Sequence, residues 1–292
     1  MLRCLGCAST VPVVGGIPRF VRQPAGDVAR RTQASFGYEW THFNDWKPSG
    51  ETNFNDYFAG TDLAELNGRL VLDAGCGMGR HARQIAAHAG RVVAVDFSRA
   101  IDQASRNTAP LGNVDCLQAD LLRLPLVDAG FDYVYSLGVL HHIDETTQAL
   151  AALAAKVRPG GRLRIYLYWK RHGWRGWLLK GVSLIRRMTT RLPLPLLRLL
   201  CWPLSVVLYV GVILPYRVLS RLGLKGHESW PLFVYTKYPF TVLYNDQFDR
   251  FSAPIEKRYD PDEVRQLLER AGLRDVTVRP CFGWVGEGVR PA

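Results

Sequence analysis

Between Thr146 and His227 this 292-residue chain contains no aspartate or glutamate. Fifteen Lys and Arg fall in the same stretch, four more than the net charge of +11, so the rest of the chain is slightly acidic. The positive charge therefore describes one local surface and argues little about a polyanionic partner for the whole molecule. Cysteine is sparse: Cys4, Cys7, Cys76, Cys116, Cys201 and Cys281 form no framework of close pairs, which excludes a disulfide-built secreted scaffold. A secretory leader is not recognisable either, because Arg3 is followed by an apolar run broken at Pro12, Gly15, Gly16 and Pro18. Internal repeats and low-complexity tracts are missing. These absences lead us to expect a reduced, cytoplasmic chain, with a peripheral position on the inner face of a membrane as a variant of that reading.

What is present is an alternation of short apolar runs with helix-length stretches from about residue 69. RLVLDAG (69–75), RVVAVDFS (91–98), VDCLQAD (114–120), FDYVYSLGVL (131–140) and RLRIYLYW (162–169) read as strands. Helices are expected over 80–90, over 99–109 and from Thr146 to Val157, the last stopped by Pro159-Gly160-Gly161. The pattern lapses near Lys170 and resumes near Tyr259. There Asp260-Pro261-Asp262-Glu263 is a strong helix start, and RDVTVRP (274–280) and the last residues supply a sixth strand and a short seventh. Such alternation predicts a doubly wound, mostly parallel seven-stranded α/β sheet, whose ligands bind at the C-terminal edge of the strands.

VLDAGCGMGR (71–80) sits on that edge, between a strand and a helix. Gly75, Gly77 and Gly79 leave a bare backbone that a ligand can approach closely. A dinucleotide turn has the spacing G-x-G-x-x-G. Here the glycines alternate, and Asp73 stands two residues ahead, where its charge would repel a phosphate and attract a sulfonium. Cys76 within the loop reads as a small buried thiol.

VLDAGCGMGR resembles motif I of the class I S-adenosylmethionine-dependent methyltransferases, and the likeness continues through residues 69–168. The resemblance implies S-adenosyl-L-methionine as cofactor, no metal, and a donor site made of Asp73, Gly75, Cys76, Gly77, Gly79, Asp96, Phe97, Asp120, Leu121 and Leu137. In that scheme Asp96, ending the second strand, grips the ribose hydroxyls, as a carboxylate can accept two hydrogen bonds from a vicinal diol. Asp120, in LQADLLRLPL, takes the adenine amino group. FDYVYSLGVLHHID and VRPGGRLRIY match the fourth-strand and fifth-strand segments of the family. The likeness is to the broad subgroup that methylates small molecules, quinones among them. It implies direct methyl transfer to a small acceptor, and His141 or His142 is the candidate base, a gating role being the alternative. LRCLGCASTVPVVGGIPRFV also resembles the start of the small zinc-ribbon segments heading some bacterial methyltransferases. The second ligand pair is absent, so a vestigial arm is expected.

SFGYEWTHFNDW (35–46) is expected to fold over the cofactor, with Tyr38, Trp40 and Phe43 as covering side chains or as packing against the sheet. Leu199–Tyr216 carries no charge and holds Pro203 and Pro215, and its eighteen residues lie near the lower limit for a membrane span. We expect a helical cap whose apolar face forms the acceptor pocket. A cap that also rests on an anionic membrane through residues 170–225, with Trp174, Trp177 and Trp202 at the interface, is the second expectation. A nucleic-acid partner is disfavoured because the cations flank greasy helices. Tyr244, Asp246 and Asp249 are further candidates to face the acceptor.

The chain thus divides into an arm and lid (1–60), a donor-binding core (61–169), the cap insertion (170–258) and a C-terminal segment completing the core (259–292). The expected function is methyl transfer to a small apolar or aromatic acceptor, at oxygen by preference. The rivals are a nicotinamide oxidoreductase, which the glycine spacing opposes, and a non-catalytic membrane-associated protein that kept the fold.

Overall fold

The structure is a computed structural model that describes residues 1–21, 26–43, 47–228 and 230–292. Seven strands form its central sheet: β1 (Leu70–Ala74), β2 (Arg91–Asp96), β3 (Val114–Gln118), β4 (Phe131–Leu137), β5 (Val157–Leu167), β6 (Arg274–Pro280) and β7 (Trp284–Val289). Their order is β6-β7-β5-β4-β1-β2-β3, and β7 alone runs antiparallel to its neighbours. The inner strands are apolar on both faces, Val71, Leu72, Val92, Val95 and Val134 being fully buried, as a sheet sandwiched between helices requires.

The helices are α1 (Asp27–His42), α2 (Lys47–Phe58), α3 (Arg80–Ile85), α4 (Ala100–Thr108), α5 (Thr146–Lys156), α6 (Gly173–Thr189), α7 (Leu194–Arg221), α8 (Phe240–Ser252) and α9 (Pro261–Arg270). α9 begins on a complete capping box between Asp260 and Glu263. Two expected boundaries differ. The helix after the glycine loop stops at Ile85 instead of Gly90. β5 begins at Val157, with Pro159-Gly160-Gly161 inside it, because Val157 pairs with Phe131 before the register shifts to Tyr133–Arg162.

Before α1 the chain makes two short ribbons, Leu2–Arg3 with Thr10–Val11 and Val13–Val14 with Ile17–Pro18. Arg19 and Phe20 then lie along β3: Arg19 bridges Gln118 in parallel, and its guanidinium pairs with Asp102. Cys4 and Cys7 are exposed and unbridged, and among the described residues no group of three or more candidate ligands could hold a metal.

Helices α6, α7 and α8 form the insertion between β5 and α9. α8 is its keel. It packs on α1, where Ser35 meets Ser252 at 2.7 Å, and carries α6 and α7 on its other sides. Glu256, just beyond α8, is buried between Arg186 of α6 and Arg258, each at 2.7 Å. Tyr244 donates to the Arg198 carbonyl of α7 at 2.8 Å. α7 stays one continuous helix of 28 residues through both prolines, long and apolar enough by composition to cross a membrane. Its buried stripe is Leu197, Cys201, Ser205, Ile213 and Tyr216. A spacing of four drifts round a helix of 3.6 residues per turn, and the π turn at Tyr209–Ile213 adds a residue that brings the stripe back onto its partners.

Candidate active site

A cavity of about 1490 Å³ lies at the C-terminal ends of β1, β2, β4 and β5. Its floor on one side is the glycine loop. Gly75 donates to the Val95 carbonyl at 2.8 Å and holds φ at +86°, where a side chain would drive into Val139. Gly77, at φ +54°, lies against the Trp40 indole, whose Nε1 is 3.3 Å from where a Cβ would stand. The Arg80 guanidinium sits 5.2 Å from the same ring. Trp40 therefore covers the loop. Tyr38 turns to α8, packing on Phe248, while Phe43 packs on α8 and also reaches the cavity wall. The end of the aromatic segment, residues 44–46, lies outside the described residues.

Asp96 is buried at the end of β2. Its Oδ1 accepts from the Ser98 amide and hydroxyl, both at 2.7 Å, and its Oδ2 accepts from the Gly77 amide at 2.9 Å. A carboxylate has about four lone-pair sites. Three are filled, so one remains for a ligand, and the expected grip on both ribose hydroxyls requires Gly77 to let go. Asp120 caps the turn Leu121–Arg123 by accepting from Leu122 at 3.0 Å through Oδ1. Phe97, Leu121, Leu137 and Cys76 line the same end of the cavity.

Three of the expected site residues do not line it. Asp73 lies beneath the loop, its Oδ2 buried without a partner. Burial pushes its carboxyl up to about 7, and Asp96 adds to the rise. It can act on a ligand through its charge, not by contact. Gly79 faces the other way, its position for a side chain filled by Ala104 of α4. His141 is fully buried against Tyr168, with both ring nitrogens unpartnered, and burial followed by the neighbouring His142 holds it well below the usual histidine range. A neutral ring packed there cannot reach an acceptor.

His142 does line the cavity. Its Nδ1 is 2.6 Å from the Ile255 carbonyl, so Nδ1 carries the hydrogen and Nε2 keeps its lone pair. Phe36 and Tyr168 pack edge-on against the ring and fix its plane. Part of the cavity wall is acidic and phenolic. Glu39, Asp246 and Asp249 line it together with Tyr57, Tyr166, Tyr168, Tyr235 and Tyr238. Asp246 accepts from Tyr235 at 2.7 Å and is pushed up to about 6, chiefly by burial. Asp249 is also raised by burial, and the nearby His142 opposes that rise. Glu39 is 2% exposed with Oε2 unpartnered, and burial, then Asp249, raises it well above the carboxylate range. The motif reading missed Glu39 and the tyrosines. The only signal was two polar residues, Ser35 and Glu39, spaced one turn apart on the buried face of α1.

An adenosylmethionine molecule fits the residues present. The loop is bare where an added Cβ would meet Val139 or Trp40, Asp73 offers a buried carboxyl whose Oδ2 has no partner, and Asp96 retains one acceptor site.

The sheet order is that of the Rossmann-like methyltransferase fold, and the glycine loop and the acid ending β2 stand where the donor-binding segment of S-adenosylmethionine-dependent methyltransferases has them. Residues 72–165 match the family model described as a methyltransferase domain. An O-methyltransferase of Aspergillus nomiae is 38% identical over 112 residues, 36% of this chain and 49% of the relative. An uncharacterized methyltransferase of Mycobacterium bovis is 35% identical over 106 residues, 36% of this chain and 54% of the relative. The chain spans about half the length of the curated relatives it matches. A solved Haloferax volcanii complex of the Trm112 methyltransferase activator with a methyltransferase shares the fold, with a TM-score of 0.53 and 15% identity over 89% of this chain and 98% of that one.

Proposed function

We propose that the chain transfers a methyl group from S-adenosylmethionine to a hydroxyl of a small acceptor. The observation that carries this reading is that His142, its Nδ1 tied to the Ile255 carbonyl, lines the same cavity as the glycine loop and Asp96. When bound, the donor would supply a methyl group on a positively charged sulfur. The chain's part is to position and to move one proton. Gly75 and Gly77 admit the donor, Asp96 and Asp120 hold its nucleoside end, and the Asp73 carboxylate balances its charge from below. His142 Nε2 takes the acceptor's hydroxyl proton, while Nδ1 stays on Ile255. Asp249 steadies the resulting imidazolium. The curated relative named as an O-methyltransferase supports oxygen as the acceptor atom.

Calorimetry tests the reading. Adenosylmethionine and its demethylated product should both bind, and NAD should not. Asp96→Ala should weaken donor binding at least tenfold, since a hydrogen bond to a charged group contributes about 1.5–3 kcal/mol. Tight NAD binding with no heat from either nucleoside would overturn it.

A further inference from the structure

Helices α6 and α7 are built inside out for a protein wholly surrounded by water. On α6, Trp174, Trp177, Leu178, Leu184, Ile185 and Met188 recur at three- and four-residue steps and are all exposed, Trp177 at 72%. On α7, Leu196, Leu199, Leu200, Val207, Val210, Leu214 and Val218 do the same. A surface helix of a water-soluble domain turns such a stripe inward, and a patch this extended marks an interaction surface.

From these two stripes we infer that α6 and α7 seat the protein on an anionic lipid bilayer, and that the methyl acceptor is a membrane-resident amphiphile reaching the cavity from that side. This rests on the methyl-transfer reading for its second half only. Charge complementarity selects the occupant. The insertion from Lys170 to His227 carries no acid, and Lys180, Arg187, Arg191, Arg221 and Lys225 are exposed around the stripes. A second copy would bring the same positive charge against itself, whereas anionic headgroups attract it. Tryptophans at 174, 177, 202 and 230 are each at least half exposed, as residues at a headgroup boundary are.

The helices lie on the bilayer and do not cross it. The opposite stripe of α7, Leu197, Cys201, Ser205, Ile213 and Tyr216, is buried against the rest of the insertion, where α8 carries Asp246, Asp249 and Arg250. A span would have to tear that stripe away and expose those charges to hydrocarbon.

Leu178 and Trp230 connect the surface to the chemistry. Each is more than half exposed, and each also lines the cavity, with Leu179 and Val182 behind Leu178. An amphiphile could therefore keep its tail among the lipids while its head reaches the tyrosines and His142.

The test uses vesicles of phosphatidylcholine alone, and of phosphatidylcholine with 30 mol% phosphatidylglycerol, in about that proportion, to span the surface charge of anionic membranes. The full chain should float with the anionic vesicles and lose binding as salt rises. Trp177→Ser with Leu199→Ser should weaken flotation at least tenfold while the affinity for adenosylhomocysteine, by calorimetry, stays unchanged. A phosphatidylglycerol bearing a diazirine at the acyl end should crosslink to α6, to α7 and to Leu178 or Trp230. No flotation, flotation unaffected by the double substitution, or a stable dimer by light scattering that the substitution dissolves would overturn the docking surface. Crosslinks on the outer stripes with none on cavity-lining residues would overturn access from the bilayer. Failure of nucleoside binding instead would strike the methyl-transfer reading and with it the acceptor half of the inference, and would leave the docking surface standing.

Discussion

At the residue scale the most informative group is Asp73, a carboxyl with no partner for Oδ2 that burial lifts to about 7. A cation prefers it ionised, so affinity for adenosylmethionine should fall as pH drops below 7, by up to about tenfold per unit. The uncharged thioether product should show no such dependence. Asp73→Asn should flatten the pH profile of donor binding measured by calorimetry, and an unchanged slope would show that the charge acts elsewhere. The sign for folding is opposite. A carboxyl raised from about 4 in the unfolded chain opposes folding as pH climbs from 4 to 7. Bound donor should therefore stabilise the protein more at pH 8 than at pH 6, as read by melting temperature. Gly75→Ala places a methyl against Val139 in a left-handed backbone. It should abolish nucleoside binding and lower the melting temperature by at least about 2 °C, the shift that roughly 1 kcal/mol gives in a chain of this size. Asp96 and Asp120 were legible in the sequence because a strand end fixes where its next side chain goes. His141 was not separable from His142. Adjacent residues on a short turn point apart, and only packing against Tyr168 shows which one is sealed in.

Among the elements, the joint between α6 and the core depends on Glu256, which is buried between Arg186 and Arg258. Removing one partner of such a cluster leaves uncompensated buried charge, at a cost of about 3–5 kcal/mol. Glu256→Gln should thus unfold at lower denaturant, with the loss seen first in probes on α6. The reciprocal observation, a variant as stable as the parent, would mean that Arg186 can turn to solvent. Strands and their order followed from apolar runs separated by helix-length segments. The insertion was legible only as helical, apolar and basic. Which face of α7 is covered depends on the π turn at Tyr209–Ile213 and on α8 as a partner, and no periodicity in α7 by itself reveals either. Pro203 and Pro215 stand inside α7, which runs on through both, and the apolar face expected to form the acceptor pocket is in large part exposed.

Considered as a whole, the molecule separates its charge and its grease. The sheet domain, residues 1–169 with 259–292, balances 22 Lys and Arg against 22 Asp and Glu and closes most of its apolar residues inside, while the insertion holds the whole net charge of +11 and shows both its cations and its leucines. Such a body should repel its copies at low salt and clump through its exposed apolar stripes once salt screens the cations, so light scattering should rise with salt, and scattering that falls instead would count against it. The sheet itself offers little to this process. The segment through Arg19 and Phe20 runs along β3, and the other margin, β6, carries Arg274, Asp275 and Arg279 and ends in Pro280. Backbone pairing between molecules is therefore blocked at one border and disfavoured at the other. Clumps of the purified protein should be globular and amorphous instead of fibrous, and a mild detergent should disperse them without unfolding a single strand.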